Sequence, residues 1–237
     1  MTAAGASTLH LVSAGAARGV AQAVVPAFEA SHGARVDGTF GAVGAMRERL
    51  VGGAPCDVVV LTASVIDALA RDGLVIAGSR VALGRVPTGI AVRTGDPRPG
   101  VGDGAALTAA LVVADGIYFP DPERATAGIH FAGVLDRLGI RARVQPALRA
   151  YPSGAEAMAA MAESSERIVL GCTQVTEIVY TPGVSLVAPL PAGFELSTAY
   201  VAAVTTRSAN PALAGALVDT LTGAATAALR RAGGFDD

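Results

Sequence analysis

The sequence predicts an α/β fold in which helices alternate with the strands of parallel sheets. The segment from Thr39 to Ala63, TFGAVGAMRERLVGGAPCDVVVLTA, reads as a strand end, a glycine-rich loop, a helix, a tight turn and a continuous apolar strand, which is a βαβ unit. The same alternation recurs in the second half of the chain. Because loops at the carboxyl ends of parallel strands form the ligand crevice of such folds, we expect function to lie in those loops.

The composition fits this fold and excludes several kinds of site. Hydrophobic residues make up 51% of the 237 positions and aromatic residues only 4%, so small aliphatic side chains must build the core. A net charge of −2 gives no electrostatic reason to expect a nucleic-acid or anionic-membrane partner. All 18 basic residues are arginine, which excludes lysine Schiff-base and P-loop chemistry. Cys56 and Cys172 stand far apart, which predicts buried free thiols, and we expect no metal and no cofactor.

The start of the chain predicts where the protein is found. Residues 1–5 lack the basic and apolar regions of a secretory signal, so the sequence as written predicts a cytoplasmic protein, or a periplasmic one if a leader has been removed. No apolar run reaches the ~18–20 residues of a spanning helix, so no membrane insertion is expected.

The first α/β series can be followed through apolar spacing. Thr8 to Ser13 is a short apolar run, and Val20, Val24, Val25 and Phe28 then recur at helical spacing. The predicted elements are a strand at Thr8–Ser13, a helix at Arg18–Ala30, a strand at Ala34–Gly38, the helix and strand of the segment above, and a helix at Val65–Arg71.

A second series follows an extended stretch, Val81–Arg93, and a Pro/Gly-rich stretch, Thr94–Gly104. Its predicted helices are Ala105–Val112, Ala127–Leu138, Ser153–Ala162 and Thr173–Val179, and its predicted strands are Gly116–Phe119, Arg143–Leu148, Arg167–Gly171 and Val184–Leu190. A long strand pattern at Glu195–Thr205 and two helices within Pro211–Arg231 end the chain.

Two extended crossings between two α/β series predict two lobes. Lobe one comprises residues 1–85 and 197–237, and lobe two comprises residues 86–196.

Several motifs resemble the type 2 periplasmic-binding-protein superfamily, and within it the molybdate-binding-protein-like group: LHLVSAGAARG, PAFEASHGARV, GTFGAVGAMRERLVGGAPCDVVVL, PDPERATAGIHFAGVLDRLGI and IVLGCTQVTEI. The resemblance covers nearly the whole chain. It implies a two-lobed clamshell with the ligand in a cleft between the lobes, commonly an anion held by helix N-termini. It also implies a transporter permease as partner, if the protein is exported.

Departures from the molybdate-binding pattern concern hydroxyl donors. Family members present a serine at the start of the first helix, a serine-rich loop before the second, and a tyrosine after the IV dipeptide of the late strand. Here these positions are Ala16, Ala42-Val43-Gly44 and Leu170. Each missing charge-assisted hydrogen bond is worth ~1.5–3 kcal/mol, so tight molybdate binding is not expected.

The chain resembles a divergent branch of this family that includes the aconitate isomerases. The residues that carry this resemblance are Ala17-Arg18 in the first loop, Val43-Gly44-Ala45 in the second, and Gly171-Cys172-Thr173-Gln174 with Glu177. Two hypotheses follow. The first is binding of a small organic anion, a carboxylate, by a solute-binding-like protein without catalysis. The second is isomerisation of an unsaturated di- or tricarboxylate by abstraction and return of a proton. The sequence shows no paired carboxylates and no Ser-His-Asp order, so it does not favour the enzyme over the binding protein.

The ligand-binding candidates lie in loops after predicted strands or at the helix starts beyond them. They are Ser13, Ala16, Arg18, Val43, Gly44, Thr62, Arg124, Thr126, Ala127, Tyr151 and Gln174. Arg18 can hold an anion at a helix start, or can be exposed or paired with Glu29 or Asp37. Arg124 offers a planar fork to a carboxylate, or a salt bridge to Glu123 or Asp121.

The catalytic candidates are His130 and Glu177, each with a structural alternative. His130 can be a helix-face residue, and Glu177, which shares a helical face with Gln174, can be a cap or an interlobe salt-bridge partner. Ser64 and Ser153 are expected either to line the ligand site or to cap the helices that follow them.

Overall fold

The computed structural model describes residues 7–236. In the first part of the chain the elements are β1 (Ser7–Ala14), α1 (Arg18–His32), β2 (Ala34–Gly41), α2 (Val43–Val51), β3 (Val58–Thr62), α3 (Ala63–Arg71) and β4 (Val81–Arg93), with 3-10 turns at Gly15–Ala17 and Ala77–Ser79.

In the remainder they are α4 (Gly104–Val112), β5 (Gly116–Pro120), α5 (Thr126–Arg137), α6 (Arg141–Val144), β6 (Leu148–Tyr151), α7 (Gly154–Ala162), β7 (Val169–Gln174), α8 (Val175–Tyr180), β8 (Val184–Pro189), β9 (Ser197–Val204), α9 (Pro211–Thr222) and α10 (Ala227–Ala232), with 3-10 turns at Gln145–Ala147 and Ala224–Thr226.

The described chain divides into two compact units. Unit 1 comprises residues 7–84 and 199–232, and unit 2 comprises residues 85–198 and 233–236. The predicted lobes were divided at residues 85/86 and 196/197. Residues 233–236, which the prediction placed in lobe one, group with unit 2, where the backbone N–H and carbonyl groups of Arg85 and Asp236 bond to each other at 2.9 and 2.7 Å.

In unit 1 the strand order is β2-β1-β3-β9. Strand β1 is parallel to β2 and to β3, while β9 is antiparallel to β3. Ser13 lies opposite both Phe40 and Val60, so the three parallel strands end at the same edge. All residues of β3 are buried, as expected for a parallel strand covered on both faces. Because each parallel strand leads into a helix, three helices begin at this edge.

In unit 2 the strand order is β8-β4-β7-β5-β6. Strands β5, β6 and β7 are parallel, and β4 is antiparallel to β7 and β8. An edge-on pair, Phe119 and Phe131, with ring centroids 5.5 Å apart, lies in the aliphatic core beneath α5. The carboxyl ends of the parallel strands again lead into helices, here α5, α7 and α8.

The strand predicted at Arg143–Leu148 is wrong. Residues 141–147 form α6 and a 3-10 turn, and β6 starts only at Leu148. The Arg141 guanidinium donates to the Asp136 carboxylate and, at 2.6 Å, to the Ala132 carbonyl, which holds this segment against the end of α5. Helix α8 also begins later than predicted, because β7 continues to Gln174.

Within residues 7–236, no single helix has the length and apolar character required to cross a bilayer. Helices α9 and α10, bent by 41° at the turn between them, meet that requirement only as a pair, by length and composition. Leu217, Val218 and Leu221 of α9 are buried in unit 1.

Candidate functional site

Three helix N-termini at the carboxyl edge of unit 1 have no side-chain cap in the described chain. The residues at their N-cap positions are Ala14, Ala42 and Thr62, and none accepts a hydrogen bond from the first turn that follows. The Thr62 hydroxyl instead lies 3.4 Å from the Ser64 hydroxyl. Since the first N–H groups of a helix have no partner within the helix, this edge presents unsatisfied donors and positive dipole ends.

Other helices are capped by side chains, which shows that this chain uses caps where no ligand edge is expected. Asp103 accepts from the N–H of Ala106 at 2.8 Å at the start of α4, and Asn210 accepts from Leu213 at 3.1 Å at the start of α9. In the described chain the helices after β1, β2, β3, β5 and β7 have no side-chain cap, as does the short α6, whereas α7, after β6, has one.

The predicted residues of unit 1 do meet at this edge. Ser13 ends β1 fully buried, with its hydroxyl donating to the Ala14 carbonyl at 3.0 Å. Ala16 is buried in the 3-10 turn, and Val43 and Gly44 open α2. These positions offer backbone N–H groups, while hydroxyls come from Thr62 and its neighbour Ser64. Ser64 is the second residue of α3 and does not cap it, because Thr62 holds the N-cap position.

Arg18 follows the 3-10 turn, so the helical winding begins three residues before it. Its side chain is exposed and its guanidinium carbon lies 6.0 Å from the centroid of the Phe40 ring. The Glu29 carboxylate, which was suggested as its partner, accepts from the N–H of Val36 at 2.7 Å. An exposed guanidinium over an aromatic ring leaves its N–H donors free for an anion.

In unit 2, α5 begins in the same way as the helices of unit 1. Its N-cap residue, Ala125, provides no side-chain cap, and Thr126 and Ala127 form the open first turn. A Cβ at Gly128 would lie 2.2 Å from the Asp121 carbonyl oxygen, so only glycine allows the helix to start this close to β5. The exposed Arg124 lies in the preceding turn, where its backbone N–H donates to the Asp121 carboxylate at 3.1 Å.

Helix α7 is capped from two directions. Ser153 accepts from the N–H of Glu156 at 3.3 Å, which caps the helix, and its hydroxyl donates to the Glu156 carboxylate at 2.8 Å. Ser153 therefore has the capping role that was its alternative. Tyr151, at the end of β6, stacks on Tyr118 with ring centroids 6.0 Å apart.

Glu177 is the second cap of α7. Its buried carboxylate accepts from the Thr173 hydroxyl at 2.5 Å and from the backbone N–H groups of Ala155 and Gln174. Burial raises the pKa of Glu177, and these hydrogen bonds partly oppose the rise. A Cβ at Gly154 would lie 2.0 Å from both the Glu177 and the Thr173 oxygens. The structure thus favours the capping role over catalysis.

His130 is also held by a structural contact. Its Nε2 lies 2.7 Å from the Phe194 carbonyl oxygen, so the ring donates from that nitrogen and links α5 to the loop before β9. This is the helix-face role that was the alternative to catalysis.

Unpartnered buried polar atoms lie near the carboxyl end of β7. Thr88 pairs with Gln174 in the β4–β7 ladder, and the Gln174 amide nitrogen lies 3.3 Å from the Thr198 hydroxyl. The Gln174 carbonyl oxygen and the hydroxyls of Thr88 and Thr176 have no partner within residues 7–236, although each residue is at most 3% exposed. Sequence reasoning found Gln174 and missed the threonines, for which the only signal was a hydroxyl within or beside an apolar strand.

Leu170 requires a correction. It was matched to a ligand-contacting tyrosine, but it is the second residue of β7, four residues before the strand ends, and it lies in the aliphatic core of unit 2. The apolar Leu170 side chain fits that core. Its lack of a hydroxyl is therefore no argument about which ligand binds at the carboxyl edge.

Within residues 7–236, the thiols and acidic residues form no reactive or metal-binding centre. Burial raises the pKa of Cys56 to about 12 and also raises the pKa of Cys172, so both remain protonated and unreactive. No group of histidine, cysteine, aspartate and glutamate side chains in the described part of the chain is arranged to hold a metal ion.

Comparison with known proteins identifies relatives of the whole chain. The chain is 29% identical over 221 residues to an aconitate isomerase of a Pseudomonas species, covering 91% of this chain and 82% of the relative. Its fold matches the periplasmic molybdate-binding protein of Azotobacter vinelandii with a TM-score of 0.80 at 21% identity, covering 97% and 99% of the two chains. It also matches a sulfate-binding protein of Mycobacterium tuberculosis with a TM-score of 0.73 at 21% identity, covering 97% and 86%.

The structural matches establish the type 2 periplasmic-binding-protein fold that the motifs predicted. A family model described as bacterial extracellular solute-binding protein matches residues 9–236, nearly the whole chain. The chain therefore belongs to the bacterial extracellular solute-binding protein family.

Proposed function

We propose that this protein binds a small organic anion, a carboxylate, through the carboxyl edges of its sheets. The observation that carries this proposal is that, in residues 7–236, the helices that follow the parallel strands β1, β2, β3, β5 and β7 have no side-chain cap, whereas α4, α7 and α9 have one. Free N–H groups at helix starts along the carboxyl edge of a sheet suit a ligand with negative oxygens. The Arg18 fork suits a carboxylate in particular.

Molybdate and sulfate, named for the structural neighbours, fit the edge of unit 1 less well. Tetrahedral oxyanions need several hydroxyl and N–H donors at once, whereas Ala16, Val43 and Gly44 supply none from side chains, and the Ser13 hydroxyl is committed to Ala14. In unit 2, the unpartnered hydroxyls of Thr88 and Thr176 and the amide of Gln174 are neutral groups. They suit a polar organic ligand with hydroxyl or carboxyl groups.

A thermal-shift panel tests the proposal. Citrate, trans-aconitate, succinate, benzoate, molybdate and sulfate are each added to the purified protein, and affinities of the stabilising compounds are measured by calorimetry. We expect a carboxylate to raise the melting temperature, because a ligand at 100 times its Kd stabilises the native state by ~2.7 kcal/mol. Submicromolar molybdate binding, or stabilisation by no carboxylate, would contradict the proposal.

Isomerisation is the second candidate function, favoured by the 29% identity to an aconitate isomerase. The same donors can stabilise the negative charge that develops when a proton α to a carboxylate is removed. Neither predicted base is free, because Glu177 caps α7 and His130 bonds the Phe194 carbonyl. Incubating trans-aconitate with the protein and following the olefinic proton signals by NMR decides the matter, since a new isomer shows catalysis and unchanged signals over hours show binding alone.

Export and delivery to a transporter are proposals that the family's description supports. An exported protein would hand its ligand to a membrane permease, whereas a cytoplasmic one would act as an enzyme or sensor. Fractionation of cells that express the natural gene, with detection by an antibody, places the protein in one compartment.

A further inference from the structure

Unit 2 contains a pocket of about 230 Å³ at the end of its sheet away from Gln174. Val169 and Leu170, at the start of β7, line the pocket. Because four residues of extended strand separate Leu170 from Gln174, the Cα atoms of these two residues are about 13 Å apart along the strand. Val92, Ala110 and Leu170 are buried and form its apolar floor, and Val113, 57% exposed, lies at its rim. This pocket is therefore separate from the carboxyl edge.

The charges around the pocket favour an anion. The Arg98 side chain has no hydrogen-bond or ion-pair partner among residues 7–236. Arg167 is 85% exposed, and its Nε lies 4.0 Å from the Asp115 carboxylate, so its other donors are free. The acidic residue of the lining, Asp96, is neutralised by Arg93, whose guanidinium nitrogens lie 2.9 and 3.0 Å from its carboxylate. An unpaired guanidinium in the described chain, that of Arg98, and a second one with donors to spare, that of Arg167, thus flank an apolar cavity.

The loop that carries Arg98 is stiff. Pro97 and Pro99 flank the arginine and fix the backbone on both sides of it, after a turn in which Gly95 has a φ of +94°. A rigid loop loses little conformational entropy when a ligand binds, so even a small ligand can gain useful affinity. The pocket is smaller than the ~300–1,000 Å³ of sites for drug-sized molecules, which restricts the ligand to a compact one.

We propose that this pocket is a second binding site, which takes a small monocarboxylate with an apolar aliphatic or aromatic body. The carboxylate bonds to the guanidinium groups of Arg98 and Arg167, and the apolar body covers Val113 and the floor of the pocket. The site is independent of the proposed function, because it uses no residue of either carboxyl edge.

Hexanoate is the probe for this proposal. Methyl ¹H–¹³C spectra of the full chain are recorded during titration, with hexan-1-ol testing the need for charge and succinate testing the need for an apolar body. We expect hexanoate to shift the methyl signals of Val113 and Val169 first, and to bind at least fivefold more tightly than hexanol or succinate at this pocket. The double substitution Arg98→Gln/Arg167→Gln is expected to weaken hexanoate at least tenfold.

Two controls make the outcome decisive. Arg143→Gln removes another exposed arginine of unit 2 that has no side-chain partner in the described chain, and it should leave hexanoate affinity unchanged. Gln174→Ala should also leave it unchanged, which separates this pocket from the carboxyl edge. Equal affinity in the double variant, strongest shifts outside the pocket, or loss of binding in Gln174→Ala would overturn the proposal.

Discussion

The surroundings of each polar residue decide what it does in this protein. Glu177 was a catalytic candidate and Arg18 a ligand-binding one. The Glu177 carboxylate is buried among three donors, whereas the Arg18 guanidinium is exposed over an aromatic ring. A carboxylate with its acceptor sites filled is a structural anchor, because removing its partners would leave buried groups unsatisfied. A guanidinium in contact with solvent keeps its donors for another molecule.

Replacing Arg18 with alanine is expected to weaken carboxylate binding about tenfold, or ~1.4 kcal/mol, because one charge-assisted contact is lost. Arg18→Lys should restore part of the affinity, since a point charge lacks the planar fork. Calorimetry with the carboxylate that stabilises the protein most measures both. The control is Arg35→Ala, which removes another exposed arginine of unit 1. Equal affinities for wild type and Arg18→Ala would remove Arg18 from the site.

The raised pKa of Glu177 predicts a pH dependence of stability. Between the ordinary glutamate pKa of ~4.3 and the higher native value, the folded state binds more protons than the unfolded state. The free energy of unfolding therefore falls as pH rises through this window, by at most ~1.4 kcal/mol per pH unit.

Urea denaturation of wild type and Glu177→Gln across this pH range isolates the contribution of Glu177. The difference in stability between the two proteins should shift in favour of the variant as pH rises. The exposed Glu195→Gln is the control and should follow wild type at every pH. A wild-type advantage that grows with pH would show that the donors outweigh burial and that the pKa is lowered.

At the scale of the elements, some helix starts have a side-chain cap and others leave their N–H groups free for a ligand. Helices that begin after β1, β2, β3 and β5 lack side-chain caps, whereas α7 has Ser153 and Glu177 together. An uncapped terminus costs ~1 kcal/mol relative to a capped one. The protein can regain that stability when an anion occupies the free N–H groups.

Adding a cap at α2 is expected to separate stability from binding. Ala42→Asp places a carboxylate where it can accept from the first turn, which should stabilise the unliganded protein by ~0.5–2 kcal/mol while weakening carboxylate binding. Melting temperature and calorimetric affinity are measured together. The matched variant Ala42→Asn supplies a cap without charge and should weaken binding less. Unchanged affinity in Ala42→Asp would exclude the start of α2 from the site.

Helix α7 can pack this closely against α8 because Gly154 has no side chain. Gly154→Ala would force a Cβ to within 2.0 Å of the Glu177 and Thr173 oxygens, so we expect a loss of at least ~1–3 kcal/mol through overpacking and a broken cap. Gly215, within α9, has open space around the same position, and Gly215→Ala should be neutral or stabilising. Urea denaturation of both variants checks the contrast, and similar stabilities would contradict the packing.

At the scale of the whole molecule, the chain passes between the units three times within residues 7–236. It does so through β4, near the start of β9, and again after α10, where residues 233–236 rejoin unit 2. The buried Phe235 and the backbone bonds between Arg85 and Asp236 fix this last segment. Residues 233–236 are therefore part of the packing of unit 2.

Phe235→Ala is expected to destabilise the protein by ~3–5 kcal/mol, the usual cost of removing a buried phenylalanine ring. Chemical denaturation followed by circular dichroism measures this cost. Asp236→Ala is the control, because Asp236 is exposed and its bonds to Arg85 use only backbone atoms. Wild-type stability in Phe235→Ala would show that the terminal segment does not contribute to folding.

The sequence by itself determined the fold family and most of the elements. This information is local, because the faces of an element that are buried set the spacing of its apolar residues. Examples are the apolar run Val58–Leu61 and the helical spacing of Val20, Val24 and Phe28. The strand at Arg143–Leu148 was mispredicted because the bonds from Arg141 to α5 are made only in the folded chain.

Only the tertiary structure decided which polar groups are free. Glu177 and His130 look like site residues in the sequence, but the N–H of Ala155 and the carbonyl of Phe194, both distant in the chain, bond to them. Thr88 and Thr176 look unremarkable in the sequence, yet their hydroxyls are buried without partners in the described chain. Hydrogen-bond satisfaction depends on which atoms meet in three dimensions, and residue spacing does not encode it.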